Sequence, residues 1–266
     1  MPLAVCATPI GNLADVTLRV LEELRAADVV LCEDTRRTRG LLQRYEISTQ
    51  LLSYHAHNEA ARTVELLPRL EAGERLALVT DAGLPGVSDP GARLVAAALA
   101  AGVPVTVLPG PSAVETALVA SGLAADRYQF LGFLPRGEKA LRRLWGELAA
   151  WPWPAVAFES PKRLPTTLQS LADAEPGRPV AVCRELTKRF EEVARGTAAE
   201  LARRFADPPK GEITLVLGPG EPVRDDAAAL AAVGELVAAS VPRKQAAELV
   251  ARLTGAARND LYRGSL

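Results

Sequence analysis

The sequence predicts an α/β fold with largely parallel sheets. Short apolar runs alternate, as far as about residue 218, with segments whose apolar residues recur at helical spacing. This alternation is typical of parallel strands covered by helices. The chain has 266 residues, 48% of them hydrophobic, so it can bury a large core. Because domains usually contain about 100 to 150 residues, this length favours two α/β domains.

The predicted elements follow from the apolar pattern, taken in chain order. The strands are predicted at Leu3–Ala7, Val29–Cys32, Leu51–Tyr54, Leu76–Thr80, Val103–Leu108, Tyr128–Phe133, Ala155–Phe158, Val180–Arg184, Phe190–Arg195 and Ile213–Leu217. Helices are predicted between them at Leu18–Ala27, Arg36–Tyr45, Ala61–Ala72, Pro90–Ala101 and Arg163–Ala174.

A turn at Pro109-Gly110-Pro111 divides the strands into two series. We therefore expect an N-terminal α/β domain over residues 1–111 and a C-terminal α/β domain over 112–220. A small helical extension follows over 221–266, in which one helix starts near Val241 and ends at Gly255. Two short helices around a glycine turn have the outline of a helix-turn-helix. A helical hairpin that only packs on the body explains the same pattern.

Charge and cysteine content exclude several classes of protein. The 31 Lys and Arg residues nearly balance 32 Asp and Glu, which argues against a globally basic nucleic-acid binder but leaves local basic patches open. Cys6, Cys32 and Cys183 lie far apart inside predicted strands, so we interpret them as buried core thiols. No apolar run approaches the roughly 18 residues that span a bilayer. We expect no membrane association and a cytoplasmic location.

The loop after the fourth predicted strand is the most informative segment. The strand ends at Asp81 and continues as A-G-L-P-G-V-S-D-P-G, which is far richer in Gly and Pro than a simple connection requires. Pro90 suits the first turn of a helix, so the backbone amides of Gly91 to Arg93 are expected to be free for a polar ligand. Loops at strand carboxyl ends hold most α/β sites, which favours a ligand-binding loop over a tight turn.

Two other loops limit the kind of ligand. The first strand leads into T-P-I-G-N-L-A-D and not into G-x-G-x-x-G, so a Rossmann dinucleotide site loses its main support. The fifth strand leads into P-G-P-S-A, where Ser112 is the expected N-cap of a helix. This loop lacks the lysine of a P-loop, which argues against nucleoside triphosphate chemistry.

Polar side chains follow the second and third strands. Glu33 and Asp34 are followed by several arginines, and these residues either supply a base and phosphate contacts or cap the next helix and pair with each other. His55 and His57 either contact a substrate or supply a base, or they have a plain surface role. No third metal ligand is indicated nearby, so no metal site is expected.

An ordered series of motifs extends from about Leu3 to Leu217. It consists of T-P-I-G-N-L-A-D, C-E-D-T-R, Y-H-A-H-N-E, V-T-D-A-G-L-P-G-V-S-D-P-G, L-P-G-P-S-A, G-F-L-P, F-E-S-P-K-R-L, C-R-E-L-T-K and K-G-E-I-T-L-V. The series resembles the ribosomal RNA small subunit methyltransferase I family, within the tetrapyrrole methylase superfamily. The tail is similar to the C-terminal helical extension of that family. Lys162 departs from the pattern, because the family more often has His there, and this argues against a catalytic role for that position.

The resemblance implies a two-domain tetrapyrrole-methylase-like fold, a homodimer, and S-adenosyl-L-methionine as the cofactor in the cleft between the domains. It also implies methyl transfer to the ribose 2′-hydroxyl of a cytidine in the decoding region of 16S rRNA, with the 30S subunit as the expected substrate. The cofactor-binding residues that it implies are Pro9, Ile10, Asp81, Leu84, Ser112, Ala113, Phe158, Leu186 and Ile213.

The sequence leaves the general base and two other functions open. Since Asp81 is expected to serve the cofactor or its loop, Glu33, Asp34 and His55 are the base candidates. An enzyme of the same fold could instead methylate a tetrapyrrole or a protein, although Y-H-A-H-N-E, C-R-E-L-T-K and the basic tail argue against this. A non-catalytic RNA-binding or assembly factor would bind ribosomal subunits without consuming the cofactor.

Overall fold

The computed structural model describes residues 2–220 and 226–265. These residues form two compact units. The first unit runs to Trp145 and resumes from Trp153 to Pro219, and it contains both β-sheets. The second unit comprises Gly146–Pro152 and the described residues from Gly220 onward.

The first sheet contains five parallel strands in the order β3-β2-β4-β1-β5. The strands are β1 (Leu3–Cys6), β2 (Val29–Cys32), β3 (Gln50–Ser53), β4 (Leu76–Leu78) and β5 (Val105–Leu108). The helices that connect and follow them are α1 (Leu18–Ala26), α2 (Thr35–Arg44), α3 (Glu59–Glu71) and α4 (Ala92–Ala100). One sheet face packs on α1 and α2, and the other on α3 and α4. The central strands are buried on both faces, as expected of a parallel sheet between helices.

The second sheet also has five strands, in the order β6-β7-β10-β8-β9. These are β6 (Gln129–Phe133), β7 (Ala155–Glu159), β8 (Pro179–Arg184), β9 (Glu192–Thr197) and β10 (Ile213–Leu217). The associated helices are α5 (Ala113–Ser121), α6 (Glu138–Ala149), α7 (Leu164–Ala174) and α8 (Ala198–Arg204). Helix α5 covers one face of this sheet, and Ile10 from the loop after β1 packs into the same apolar cluster.

The α/β class is confirmed, but the expectation of parallel pairing is wrong for most of the second sheet. Only β6 and β7 pair in parallel, whereas β10 pairs antiparallel with β7 and β8, and β9 pairs antiparallel with β8. A parallel crossover needs about a dozen residues or more. Residues 185–191 are all that separate β8 from β9, so this connection can only form a hairpin.

The three cysteines are buried and free, as interpreted from the sequence. Cys6 lies on β1 and Cys32 on β2, in the core of the first sheet, and Cys183 lies on β8 of the second. Burial raises the pKa of Cys6 to about 12 and that of Cys183 to about 11, and it also raises the pKa of Cys32. The thiols are therefore protonated core residues.

The second unit contains helices α9 (Asp226–Ala238), α10 (Arg243–Thr254) and α11 (Arg258–Gly264). Val233, Ala247, Val250 and Leu261 lie in its shared apolar core. Helix α10 ends at Gly255, which has a left-handed conformation at φ +73°, as its sequence position predicts. In the part of the chain that the structure describes, no helix is both long enough and apolar enough to cross a membrane.

Candidate active site

The loops after β1 and β4 are joined at the carboxyl edge of the first sheet. The Thr8 amide donates to the Gly83 carbonyl at 2.8 Å, and the Gly83 amide donates back to the Thr8 carbonyl at 3.0 Å. The Thr8 hydroxyl also donates to the carbonyl of Thr80 at 3.0 Å. Gly83 has φ +79°, a conformation that favours glycine. The turn residues after Asp81 thus hold two loops together at the sheet edge.

A cavity of about 410 Å³ opens beside these joined loops. Its lining residues are Thr8, Pro9, Ile10, Gly11, Leu13, Arg37, Thr38, Gly40, Leu41, Thr80, Asp81, Ala82, Lys188 and Glu212. The first sheet contributes loops and part of α2. The β8–β9 hairpin contributes Lys188, and the segment just before β10 contributes Glu212. The cavity therefore lies between the two sheets and carries side chains of both charges on an otherwise small and apolar lining.

Asp81 is fixed at this cavity by the segment after β2. Its Oδ1 accepts the Asp34 amide at 3.1 Å, and its Oδ2 lies 3.4 Å from Nη1 of Arg37. The carboxyl ends of β2 and β4 are neighbours in the sheet, which explains why residues far apart in sequence meet here.

Three carboxylates from the loops after β2 and β4 lie within electrostatic reach of one another. Burial raises the pKa of Glu33, and the charge of Asp81 adds to this effect. Burial also raises the pKa of Asp89 to about 6, with smaller contributions from Glu33 and Asp81. Asp89 was not among the candidates from the sequence, because S-D-P-G is indistinguishable there from an ordinary turn. Glu33 and Asp89 therefore retain protons closer to neutral pH than ordinary carboxyls do.

The pKa of Asp34 is lowered, in contrast to those of Glu33 and Asp89. It caps α2 by accepting the Arg36 amide at 2.8 Å, and its Oδ2 lies 2.7 Å from Nη2 of the same arginine. The side-chain hydrogen bonds from Arg36 are the main reason that the pKa of Asp34 falls to about 2. Such a carboxylate is a weak proton acceptor.

His55 and Glu59 lie at the start of α3. The His55 amide donates to Oδ1 of Asn58 at 2.8 Å, and Nδ1 of His55 is buried without a hydrogen-bond partner among the described residues. Glu59 accepts the Gly91 amide at 3.4 Å and lies 3.5 Å from Arg93. The expectation that the Gly91 amide is free is therefore wrong, because a glutamate from α3 already occupies it.

No metal centre is built here by the residues that the structure describes. Nowhere in ranges 2–220 and 226–265 do three or more His, Cys, Asp or Glu side chains form a group that could hold a metal ion. The ring centroids of His55 and His57 are 5.9 Å apart in an edge-on arrangement.

The β8–β9 hairpin forms the opposite wall through a compact ion-pair network. Lys188 Nζ lies 2.8 Å from Oε1 of Glu185 and 2.9 Å from Oε2 of Glu212. The Glu212 amide donates to the same Glu185 oxygen at 2.9 Å. The hydrogen bond from Lys188, followed by that from the Glu212 amide, lowers the pKa of Glu185. Sequence reasoning missed this network, although C-R-E-L-T-K and K-G-E contain all its members.

The backbone of the β8–β9 hairpin has unusual φ angles, and the hairpin lies close against the loop after β1. Glu185 and Thr187 have φ of 52° and 64°, and such values are rare for a β-branched residue such as threonine. A methyl group added to Gly11 would overlap Cγ of Lys188 and lie 2.8 Å from the Thr187 hydroxyl and 2.9 Å from the Leu186 carbonyl oxygen. The absence of a side chain at Gly11 is what allows this close approach.

The residues expected to bind the cofactor lie on both sides of this junction. Pro9, Ile10 and Asp81 line the cavity. One apolar cluster of the second sheet includes Ile10, Ala113, Phe158 and Leu186. Leu84 packs against the core beneath α3 and α4. Ile213 directly follows the lining residue Glu212. Ser112 precedes α5 but makes no capping bond, since its hydroxyl hydrogen-bonds with Glu115. The binding roles of all nine residues stay predictions.

Comparisons with known proteins agree with this architecture. Residues 2–202 match the family Tetrapyrrole (Corrin/Porphyrin) Methylases, and residues 224–264 match the RsmI C-terminal HTH domain. The chain is 47% identical over 265 residues to Ribosomal RNA small subunit methyltransferase I of Mesorhizobium japonicum, covering 98% of this chain and 90% of that protein. It is 41% identical to the protein of that name from Synechocystis, over 99% of this chain and 97% of the relative.

Solved structures share the fold at lower identity. Diphthine synthase superposes with a TM-score of 0.64 at 14% identity, over 82% of this chain and 89% of that chain. A uroporphyrin-III C-methyltransferase from Thermus thermophilus, complexed with S-adenyl homocysteine, gives a TM-score of 0.57 at 21% identity, over 81% of this chain and 96% of that chain.

The two sheets and the cavity between them define the class of protein as a methyltransferase with the tetrapyrrole methylase fold. Within that class, the chain belongs to the ribosomal RNA small subunit methyltransferase I family. The predictions of family, fold, methyltransferase activity and S-adenosyl-L-methionine as the cofactor are thereby confirmed.

The cavity fits this cofactor chemically. Pro9, Ile10 and Leu13 provide apolar surface, and the carboxylates of Asp81 and Glu212 on the lining offer negative charge to a sulfonium cation.

Proposed function

We propose that this protein methylates the ribose 2′-hydroxyl of a cytidine in the decoding region of 16S rRNA, within the 30S subunit, using S-adenosyl-L-methionine. The observation that carries the proposal is the partly buried carboxyl cluster beside the cavity, in a chain whose curated relatives over nearly its full length are named for the small-subunit rRNA.

The protein's main task in this reaction is positioning. When bound, the cofactor supplies an activated methyl group on a sulfonium, and in-line displacement requires the ribose oxygen to lie close to that methyl. The hydrogen bonds between Thr8 and Gly83 and the ion pairs of Lys188 fix the two walls that hold the reactants.

Glu33 is the best base among the three candidates. A ribose hydroxyl is a poor nucleophile, and an effective base has a pKa close to the working pH. Burial shifts the pKa of Glu33 upward, towards this condition, whereas Arg36 lowers the pKa of Asp34 and holds it in its ionised form. Nδ1 of His55 is enclosed by the protein, so this atom is poorly placed to take a proton from a bound substrate. The charge of Glu33 contributes to the raised pKa of Asp89, so the two carboxyls are electrostatically linked.

We further propose that residues 1–111 and 112–220 provide the two walls of the cofactor cleft and that residues 221–266 contact RNA. The protein would act in the cytoplasm, where ribosomal subunits are found. A homodimer is supported by β5, an edge strand on which the apolar side chain of Val107 is half exposed. Light scattering on the full chain tests the dimer, and a monomeric mass at micromolar concentration would contradict it.

The reaction is tested with labelled S-adenosyl-L-methionine and 30S subunits that lack the modification. Incorporation of label, followed by identification of the nucleoside by mass spectrometry, is expected to give 2′-O-methylcytidine. Incorporation into a base, or into a protein of the subunit, would contradict the proposal. No incorporation despite measurable cofactor binding would contradict it too, and would direct the search to small-molecule acceptors.

A further inference from the structure

The segments on either side of the Gly255 turn in the second unit carry arginines and exposed apolar side chains. The inward positions of α10 and α11 are Ala246, Ala247, Val250 and Leu261, which are buried in the helical core. Their outward positions place Arg252, Leu253, Arg258, Tyr262 and Arg263 in solvent, on either side of the Gly255 turn. We call these five residues the arginine-tyrosine surface.

The apolar members of this surface are exposed to solvent. Leu253 has 75% of its area accessible and Tyr262 has 42%, although α10 and α11 both contribute to a packed core nearby. Neither is needed to complete that core, since the core positions are filled by other residues. An exposed aliphatic and an exposed aromatic side chain among cations form a site for a flat, apolar and negatively charged partner, which describes a nucleotide.

The charge of the surface supports the same partner. Arg252, Arg258 and Arg263 make no ion pair with another residue in the described parts of the chain. Asp260 is the one acidic residue between Arg252 and Arg263. They differ in this from Arg163 and Arg178 of the first unit, which are paired with glutamates. Unpaired guanidiniums are available for phosphate groups.

The backbone holds this surface in a fixed shape. The Thr254 hydroxyl donates to the Val250 carbonyl at 2.8 Å, and the Ala256 amide donates to the Thr254 oxygen at 3.3 Å. Gly255 in the left-handed conformation then directs the chain into α11. Because the turn is preorganised, little ordering entropy is lost when a ligand binds there.

The kind of nucleic acid follows from the size of α11. In DNA-binding helix-turn-helix proteins the second helix lies in the major groove. Helix α11 has seven residues, a length of about 10 Å, and the major groove of A-form RNA is too deep and narrow for side chains to read. Unpaired bases in a loop or at a helix end are accessible instead, and they stack on aromatic rings.

We infer that the arginine-tyrosine surface binds unpaired nucleotides of the small-subunit rRNA, with Tyr262 stacking on a base and Arg258 and Arg263 contacting phosphates. The inference rests on the proposed function and adds the residues and the RNA element. Under it, the second unit recognises a single-stranded part of the substrate, and the cavity of the first unit performs the reaction.

The test uses the full chain and measures the Kd for 30S subunits that lack the modification. Tyr262→Leu is expected to weaken binding about tenfold, because stacking on one base is lost, whereas Tyr262→Phe keeps the ring and is expected to bind like the parent. Arg258→Ala with Arg263→Ala is expected to reduce the slope of log Kd against log salt by about 0.7 for each arginine. Arg203→Ala, at an exposed position on α8, is the matched control.

The outcomes separate this inference from the proposed function. If the parent methylates the subunits and Tyr262→Leu binds and methylates them equally well, the inference is wrong and the function stands. If the parent does not methylate the subunits, the function itself fails. Competition by a fully paired RNA duplex as strong as that by a single strand of the same length would also overturn the inference. Cofactor affinity, measured by calorimetry, should be the same in all these variants.

Discussion

The two walls of the cavity use carboxylates in opposite electrostatic settings. On the first sheet's wall, burial and mutual repulsion raise the pKa of Glu33 and of Asp89. On the hairpin wall, hydrogen bonds from Lys188 and Arg184 lower the pKa of Glu185 and of Glu192. A carboxyl that is buried with incomplete pairing thus keeps its proton closer to neutral pH, whereas a fully paired carboxylate stays ionised and holds the chain.

The topology explains this difference. The acids of the first wall come from separate loops that meet only because parallel strands end at one edge of the sheet. The acids of the hairpin find their partners locally, as Glu185 does with Lys188 three residues later and as Glu192 does with Arg184 on the paired strand. Four substitutions test this difference between the walls.

The largest effect is expected for Glu33→Gln, which removes the proposed base while keeping the size of the side chain. Methyl transfer to 30S subunits should fall by about 100-fold to 10,000-fold, with little change in cofactor affinity. Single-turnover kinetics measure the first quantity and calorimetry the second. Asp34→Asn is the matched control, since Asn also caps helices well. If Asp34→Asn were the slower enzyme, the assignment of the base would be reversed.

Gly11→Ala tests the contact between the walls. The added methyl overlaps Lys188 Cγ and approaches the Leu186 carbonyl, so the hairpin has to shift. We expect a loss of about 1 to 3 kcal/mol in the free energy of unfolding, as for overpacked sites, and weaker cofactor binding. Gly40→Ala is the control at the same cavity, because nothing lies within 4 Å of its added methyl. Since Gly40 lies inside α2, that variant should gain about 0.5 to 1 kcal/mol. Equal denaturant midpoints for the two variants would refute the close contact.

Lys188→Met breaks the pairing on the hairpin wall. A depressed carboxyl pKa stabilises the fold above the unfolded-state value, near 4.5 for Glu185, and this contribution disappears as the pH falls through the folded-state pKa. The free energy of unfolding of the parent should therefore exceed that of the variant by about 1 kcal/mol at neutral pH, allowing for the partial exposure of the pair. This difference should become smaller below pH 4.5. Urea unfolding between pH 3 and pH 8 measures this. A gap that is constant with pH would show that lost packing, not pairing, is responsible.

Asp89→Asn should change the free energy of unfolding least of the four variants, and it should increase it, unlike Lys188→Met. A raised carboxyl pKa destabilises the fold once the pH rises from the ordinary value of 3.8 through about 6. The variant should thus be more stable than the parent at pH 8, by about 0.5 to 1 kcal/mol after solvent screening is allowed for, and equal to it at acidic pH. The same pH series checks it, and a variant less stable than the parent at pH 8 would contradict the repulsion between Asp89, Glu33 and Asp81.

The first sheet could be predicted closely because each strand is an apolar run followed by a helical pattern. Val29–Cys32 is identical in prediction and structure. The second sheet was predicted less closely. Helix α8 is only seven residues long, and the hairpin at 185–191 can be recognised only if the length of the loop is considered together with the alternation of strands and helices. Helix α6 was overlooked although Leu141, Trp145 and Leu148 have helical spacing and are buried.

The candidate site was predictable in part. Motif order identified the loops after β1, β2 and β4, which do meet at the cavity. The role of Asp89 was not predictable, because its raised pKa depends on burial and on the charges of Glu33, from another loop, and of Asp81, from its own. Lys188 and Glu212 were likewise missed, since only the fold brings the hairpin to the cavity.

The positions of the cysteines in both sheets allow the unfolding of each sheet to be followed separately. Only thiolates react readily with alkylating reagents, so all three buried thiols are silent while the fold is intact. Cys6 belongs to one sheet and Cys183 to the other. Pulse alkylation during heating, followed by peptide mapping, would therefore show which sheet opens first, without any label being introduced into the chain.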